Sequence, residues 1–383
     1  MQRLIPVRIA CIATSAVPSR TANSIQLMKA CAALAEIGQD VALWVPGKSP
    51  DGGAAEACEF YGVRAPLGIR WLRSPRLLRG YDFCARACLA GRRWGADLFY
   101  VWPYQAAALC SMLGWPVLME VHDRPHGRIG PALFRRILHG RGLRRLLVTT
   151  EALRAWLEHE FEWPLAPPLA LVAPNAAQLE EPPDRLSPSD WRSLLGLPEV
   201  FTAGYTGHLY AGRGLELLLG LARHLPEAQF LWVGGENPAV EAWRARLASE
   251  GIENVRLLGF LPPTEVADIQ RACEVLLMPY ERRIAVSSGG DTAAFASPMK
   301  AFEYLAAGRA ILSSDLPVIR EVLNEGNAVL LPPDDLDSWE SALRRLMKYP
   351  ERRTRLGEQA RRDAERNTWP GRARRALEGL TLG

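Results

Sequence analysis

Apolar positions along the chain fall into short runs separated by stretches of helical periodicity, and the alternation repeats. Val7–Ala13 is an apolar, β-rich run, Ser24–Ile37 has helical spacing that stops at Gly38, and Val41–Val45 is a second apolar run. Strand, helix and strand in that order predict a βαβ unit opening a parallel sheet, because buried parallel strands read as continuous apolar runs. Further strands are expected at Leu98–Trp102, Val117–Val121, Leu146–Thr149 and Leu169–Ala173. The stretch Glu180–Pro198, rich in Pro, Asp and Ser, reads as an interdomain linker. A second series begins at Phe201–Thr206 and continues through Phe230–Val233, Val255–Leu258, Val275–Met278, Ala310–Ser313 and Ala328–Leu331. Helices are expected near 215–225, 238–250, 264–272, 298–307 and 317–324, then in the charged tail at Asp337–Met347 and Glu351–Arg366. The fold class is therefore α/β: two Rossmann-like, doubly wound parallel-sheet domains, 1–185 and 186–368, with a cleft between them. A last helix, Gly371–Leu380, follows Trp369 and either docks on another domain or packs in its own.

A length of 383 residues suits roughly two to three domains. Hydrophobic content of 48% and charged content of 23% belong to a globular protein and exclude a disordered one. No apolar stretch approaches the length of a membrane span, and the start of the chain carries no signal-peptide pattern. The net charge of +4 is unevenly spread: residues 61–160 hold sixteen arginines against seven acids. Such a bias faces an anionic membrane, an acidic substrate or nucleic acid, or is a solvated surface. Pro131–Leu147 alternates apolar and basic residues, as a membrane-facing helix does, but two glycines interrupt it and favour a simple surface helix. The seven cysteines are odd in number and have no clustered histidines. No metal is expected, and a reducing cytoplasm is the expected location, with peripheral contact at the inner membrane face through the basic first domain left open.

Chemistry is expected where loops leave the carboxyl ends of strands. The first loop, Thr14–Ser24, has no glycine, so the dinucleotide fingerprint is absent and a nicotinamide or flavin enzyme is disfavoured. The strand Val117–Val121 runs into Glu120-Val-His122-Asp123-Arg124, which places a His and an Asp to meet a substrate, or forms a polar turn. In the second half, Gly207–Gly214 is a glycine-bearing loop between strand and helix, with Arg213 as candidate cation and His208 as possible donor. Ser297 is placed to cap a helix whose first turn holds Pro298 and whose end is Gly308. Lys300 and Glu303, three apart, share one face near its start, an arrangement suited to phosphate and ribose hydroxyls. Between Pro279 and Ser297 lies a long loop with Arg282, Arg283 and Gly289-Gly290, of a length usually functional.

Tyr205-Thr-Gly-His-Leu-Tyr-Ala-Gly-Arg-Gly214 and Ser297-Pro-Met-Lys-Ala-Phe-Glu-Tyr-Leu-Ala-Ala-Gly308 resemble the retaining GT-B glycosyltransferases of the family 4 type. Pro18–Ile25, Glu120–Asp123 and Pro174-Asn175 support the resemblance, which spans most of the chain. It implies two Rossmann-like domains, a nucleotide-sugar held mainly by the second, and a final helix (within 369–383) crossing back to the first. By position, Arg213 matches the basic residue that stabilises the leaving diphosphate, and Gly207 and His208 belong to the same loop. Glu303 matches the second acid of the family's E-x7-E motif, which accepts ribose hydroxyls. His122 matches the histidine near the reacting centre, and Asn23 and Ser24 fall on the acceptor or sugar side. The first acid of the motif is missing, since Phe295 stands eight residues before Glu303; Asp291 is a substitute candidate.

The resemblance implies transfer of a hexosyl unit, with retention, from a UDP- or GDP-type nucleotide-sugar to an acceptor hydroxyl, without a metal or other cofactor. The acceptor is carbohydrate, lipid-linked or a small molecule, in glycan, glycolipid or glycosylated natural product biosynthesis, and no nucleic acid is involved. Two alternatives stay open: a GT-B epimerase acting on the nucleotide-sugar itself, and a catalytically degenerate nucleotide-sugar-binding subunit, for which Phe295 is the motive.

Overall fold

The apolar runs of the first half become seven parallel strands among the described residues: β1 (Arg8–Ile12), β2 (Asp40–Pro46), β3 (Gly68–Leu72), β4 (Leu98–Val101), β5 (Val117–Val121), β6 (Leu143–Val148) and β7 (Ala170–Val172). Their order is β3-β2-β1-β4-β5-β6-β7, so the winding direction reverses between β1 and β4. The second half forms β8 (Thr202–Thr206), β9 (Gln229–Val233), β10 (Val255–Gly259), β11 (Val275–Met278), β12 (Ala310–Ser314) and β13 (Val329–Leu331), ordered β10-β9-β8-β11-β12-β13 and again parallel. Here the reversal lies between β8 and β11. At such reversals the loops leaving two neighbouring strands diverge and open a crevice at the carboxyl ends.

The computed structural model describes residues 6–74, 80–179, 187–283 and 295–382. Two compact units result: Met1–Asn175 with Trp369–Gly383, and Ala176–Thr368. The division at Asn175 comes ten residues before the expected 185. Ala177 already pairs with Thr368, and Ala177 and Leu179 pack in the second unit's core with Leu197. The stretch expected as a linker also contains a helix, Pro188–Leu194, with a capping box between Ser187 and Asp190. Trp191 on that helix packs against the same core, so this segment belongs to the second unit.

Two other departures have simple causes. β3 is an edge strand in which Ile69 alone is fully buried, too little to register as an apolar run. Its Arg70 lies over the rings of Trp44 and Trp94, so its charge is carried by aromatic faces. The alternating stretch after Pro131 splits into a helix, Gly130–Leu138, and β6, which starts three residues before the expected Leu146. Arg145, counted above with the basic surface, is buried in β6. Its guanidinium donates to the carbonyls of Pro168, Ala376 and Glu378 and so closes the end of the terminal helix, Trp369–Leu377. That helix buries Trp369, Arg372, Ala373, Ala376 and Leu377, a helical stripe laid against the first helix, Ala22–Glu36. No described helix is long and apolar enough to cross a membrane.

Candidate functional site

In the second unit the site grows from the end of β8. Gly207 has φ +145°, and a Cβ there would fall 2.8 Å from Lys300 Nζ. Gly214 has φ +70°, and a Cβ there would overlap the Pro279 carbonyl that follows β11. Only glycine lets the loop run this close to both neighbours. Glu281 holds the loop from the other side, accepting from the Gly214 amide at 3.2 Å. Behind it, the buried Tyr304 hydroxyl accepts from Thr206 N and donates to Leu277 O, fixing the helix Met299–Ala307 to β8 and β11.

That helix begins one residue later than expected. Pro298, with extended backbone, takes the N-cap position and supplies no side-chain hydrogen bond, so Ser297 is not the cap. Lys300 therefore lies in the first turn, buried, with its ammonium 4.1 Å from the centre of the Tyr205 ring and 5.1 Å from that of Tyr280. Arg213 lies between the rings of Tyr210 and Tyr280, at 5.0 and 5.1 Å, and donates to the Tyr210 hydroxyl at 3.0 Å. Lys300 Nζ and Arg213 Nε are buried and have no hydrogen-bond partner among the described residues. Burial, and then the Arg213 charge, push the Lys300 amine well below its ordinary range; Glu303, three residues on, opposes them. Burial also lowers the His208 imidazole, again helped by Arg213 and Lys300. His208 stacks on Tyr210, with ring centres 5.0 Å apart. Cation–π contact stabilises a buried charge only partly, so these two groups, each with a buried donor lacking an acceptor among the described residues, suit an anion.

The remaining candidates of this unit divide. Glu303 is half-buried on the Lys300 helix, and its charge reaches Lys300 and Tyr280. Arg282 is exposed and paired with Asp334 at 3.0 Å. Phe295 is buried. Asp291 and Gly289-Gly290 lie outside the described residues.

In the first unit, His122 follows β5 and its Nε2 lies 2.7 Å from Glu120 Oε1. Glu120 is the one acid in a strand buried along its whole length. It accepts from Gln26 Nε2 at 2.5 Å, from Arg372 Nη2 at 2.8 Å and from the Tyr100 hydroxyl. Burial opposes its charge, but Arg372 and His122 outweigh it and hold the carboxyl below its ordinary range. Arg372 comes from the terminal helix and also donates to the carbonyls of Ala173 and Pro174. Sequence reasoning quoted Glu120 without a role and missed Arg372. Both had a signal: an acid inside an apolar strand, and an arginine on the apolar stripe 369, 372, 373, 376, 377. Asn23 is exposed in the first turn of the first helix. Ser24 is buried, and its hydroxyl oxygen lies 2.9 Å from the carbonyl oxygens of both Ser19 and Thr21, sharing its one hydrogen between them and pinning the first loop. That loop needs no glycine, since Tyr61 and Trp71 hold Ser19 and Val17 by hydrogen bonds.

Solved structures share this fold across nearly the whole chain. Anabaena HepE in complex with UDP-glucose matches with a TM-score of 0.71 at 15% identity, covering 97% of this chain and 98% of that one. Sucrose-phosphate synthase from Thermosynechococcus elongatus matches with a TM-score of 0.69 at 18% identity, over 96% of both chains. At these identities the likeness is one of fold. Residues 200–349 match the family described as "Glycosyl transferases group 1". The fold is GT-B, and its second unit carries the match to the group 1 glycosyl transferases. The matched segment contains Gly207, Arg213, Lys300 and Glu303, that is, the tyrosine-walled cations with their helix. Among curated proteins to which the chain is similar, a D-inositol 3-phosphate glycosyltransferase of Corynebacterium urealyticum is 28% identical over 61% of this chain. A putative teichuronic acid biosynthesis glycosyltransferase, TuaH of Bacillus subtilis, is 29% identical over 33%. The matched stretches span 55% and 30% of those relatives' lengths.

Proposed function

We propose that the protein transfers a hexosyl unit, with retention, from a UDP- or GDP-type nucleotide-sugar to an acceptor hydroxyl. The observation that carries this reading is the pair of buried donors without acceptors among the described residues, Lys300 Nζ and Arg213 Nε, at the carboxyl end of β8. A diphosphate supplies both the acceptors and the negative charge those groups lack. When the bond between the sugar's anomeric carbon and the diphosphate breaks, negative charge grows on the leaving oxygens. Fixed cations aimed at that charge lower the barrier without reorganising. In this reading Arg213 and Lys300 supply the charge stabilisation that a metal supplies in other transferases. Glu303 accepts the ribose hydroxyls, and His122 serves the acceptor and sugar side. The relatives with carbohydrate-transferring names and the neighbour solved with UDP-glucose agree in chemical class.

The test is a panel of UDP- and GDP-hexoses scored for released nucleoside diphosphate, with carbohydrate, lipid-linked and small-molecule acceptors and with none. Acceptor-dependent release from one donor is expected, with the anomeric configuration kept in the product. Free donor isomer formed without acceptor would establish an epimerase. Donor binding with no transfer to any acceptor would establish a degenerate binding subunit.

A further inference from the structure

We propose that Glu120 is a positioning residue that fixes His122 as its Nε2–H tautomer, so that Nδ1 is the ring atom His122 offers to a substrate. The argument is one of donors and acceptors. Trp102 Nε1 can only donate, and it donates to Gln26 Oε1 at 3.2 Å, which fixes the Gln26 amide with its NH2 group towards Glu120. Arg372 likewise only donates, through Nη2 to Glu120 Oε1 and through Nη1 towards Oε2 at 3.3 Å. Every group reaching the carboxylate therefore gives it a hydrogen, and an ionised carboxylate has none to return. His122 Nε2, 2.7 Å from Oε1, must carry the proton, and in the neutral ring Nδ1 keeps its lone pair. The His122 side chain is 31% exposed while that of Glu120 is 0%, so a partly open ring is anchored on a buried carboxylate.

Arg372 extends the arrangement to the far end of the sequence. It keeps Glu120 charged from the terminal helix, whose end Arg145 closes. An orienting carboxylate behind a functional imidazole is worth about 10–100-fold in comparable second-layer contacts around metal-bound histidines. That His122 meets a substrate rests on the proposed transferase reading; the tautomer does not.

The tautomer is read by long-range 1H–15N correlation spectra of the full chain, with His122→Asn identifying the resonances. In the wild type a single Nε2–H tautomer is expected for the neutral ring. Glu120→Ala leaves Arg372 buried without its partner and can fail to fold, so the double variant Glu120→Ala/Arg372→Met is used. It is expected to show a mixture of tautomers, and a kcat lowered roughly 10–100-fold with donor KM within about twofold. An Nδ1–H tautomer in the wild type, or a double variant with unchanged tautomer and unchanged kcat, overturns the proposal. If the tautomer behaves as expected while His122→Ala keeps full turnover, the transferase role of His122 falls and the tautomer lock stands.

Discussion

Each unit buries charge at the carboxyl ends of its central strands, and the two do so in opposite ways. In the first unit Glu120 is surrounded by Arg372, Gln26, Tyr100 and His122, and every one of these contacts is a hydrogen bond. In the second, Lys300 and Arg213 rest on the faces of Tyr205, Tyr210 and Tyr280, and two of their donors meet no acceptor. Desolvating a charge costs several kcal/mol unless partners replace the lost water. The first cluster is complete within the chain, so its role is to hold structure and aim His122. The second is incomplete among the described residues, and in the proposed reading its role is to bind what completes it. Buried charge alone does not mark a binding site; the state of its hydrogen bonds tells the two cases apart.

The contrast can be broken most severely at Arg372. Arg372→Ala should cost about 3–5 kcal/mol, because it leaves Glu120 buried without its counter-ion. Replacing both charges, as Arg372→Met/Glu120→Leu, should recover most of that loss in urea unfolding; a double variant as unstable as the single would show that the pair is not the unit. Next in size, Arg213→Ala should lower turnover hundreds-fold, about 3–4 kcal/mol of transition-state stabilisation, while its unfolding midpoint barely moves. A variant that unfolds early but still turns over would put Arg213 in the structural class with Arg372. Smaller, and of opposite sign, is Lys300→Met: removing an unpartnered buried amine should stabilise the fold by about 1–3 kcal/mol while weakening donor binding. Loss of stability there would mean that Lys300 is satisfied as it stands.

The smallest effect is on pH. The folded pKa of Lys300 is depressed, so between that value and the ordinary lysine value of 10.5 the unfolded chain binds more protons. Its contribution is therefore destabilising at low pH and is relieved as pH rises through that window. Glu120 has the reverse sign. Its folded pKa lies below the ordinary 4.5, so its stabilisation is full above that value and is lost as pH falls through the folded pKa. Unfolding midpoints measured across pH should show Lys300→Met flattening the alkaline rise and leaving the acid loss in place.

Much of this was legible in the sequence because parallel strands advertise themselves as apolar runs. β5, β8, β11 and β12 were found within a residue or two. β3 was not, because an edge strand with a single fully buried side chain has no such run. In the second unit the site residues lie on two contiguous motifs, Gly207–Gly214 and Ser297–Gly308, and were therefore named together. Their tyrosine walls were not, since Tyr205, Tyr210 and Tyr280 come from the end of β8, its loop and the end of β11 and meet only in the fold. The first unit's cluster joins residues 26, 100, 120, 122 and 372, and Arg372 is 252 positions from Glu120. No spacing rule reaches that far; what the sequence offered was one misplaced charge at each end, a strand acid and a core-facing arginine.

The central claim is that the second unit's cations are completed by a diphosphate. Calorimetric titration of UDP and GDP into the full chain at mildly alkaline pH, repeated in two buffers of different ionisation heat, tests it most directly. Because an anion raises the Lys300 pKa, one of the two nucleotides should bind with uptake of protons, and Lys300→Met should bind more weakly with that uptake gone. Equal affinity and equal proton balance in the wild type and Lys300→Met would contradict the claim.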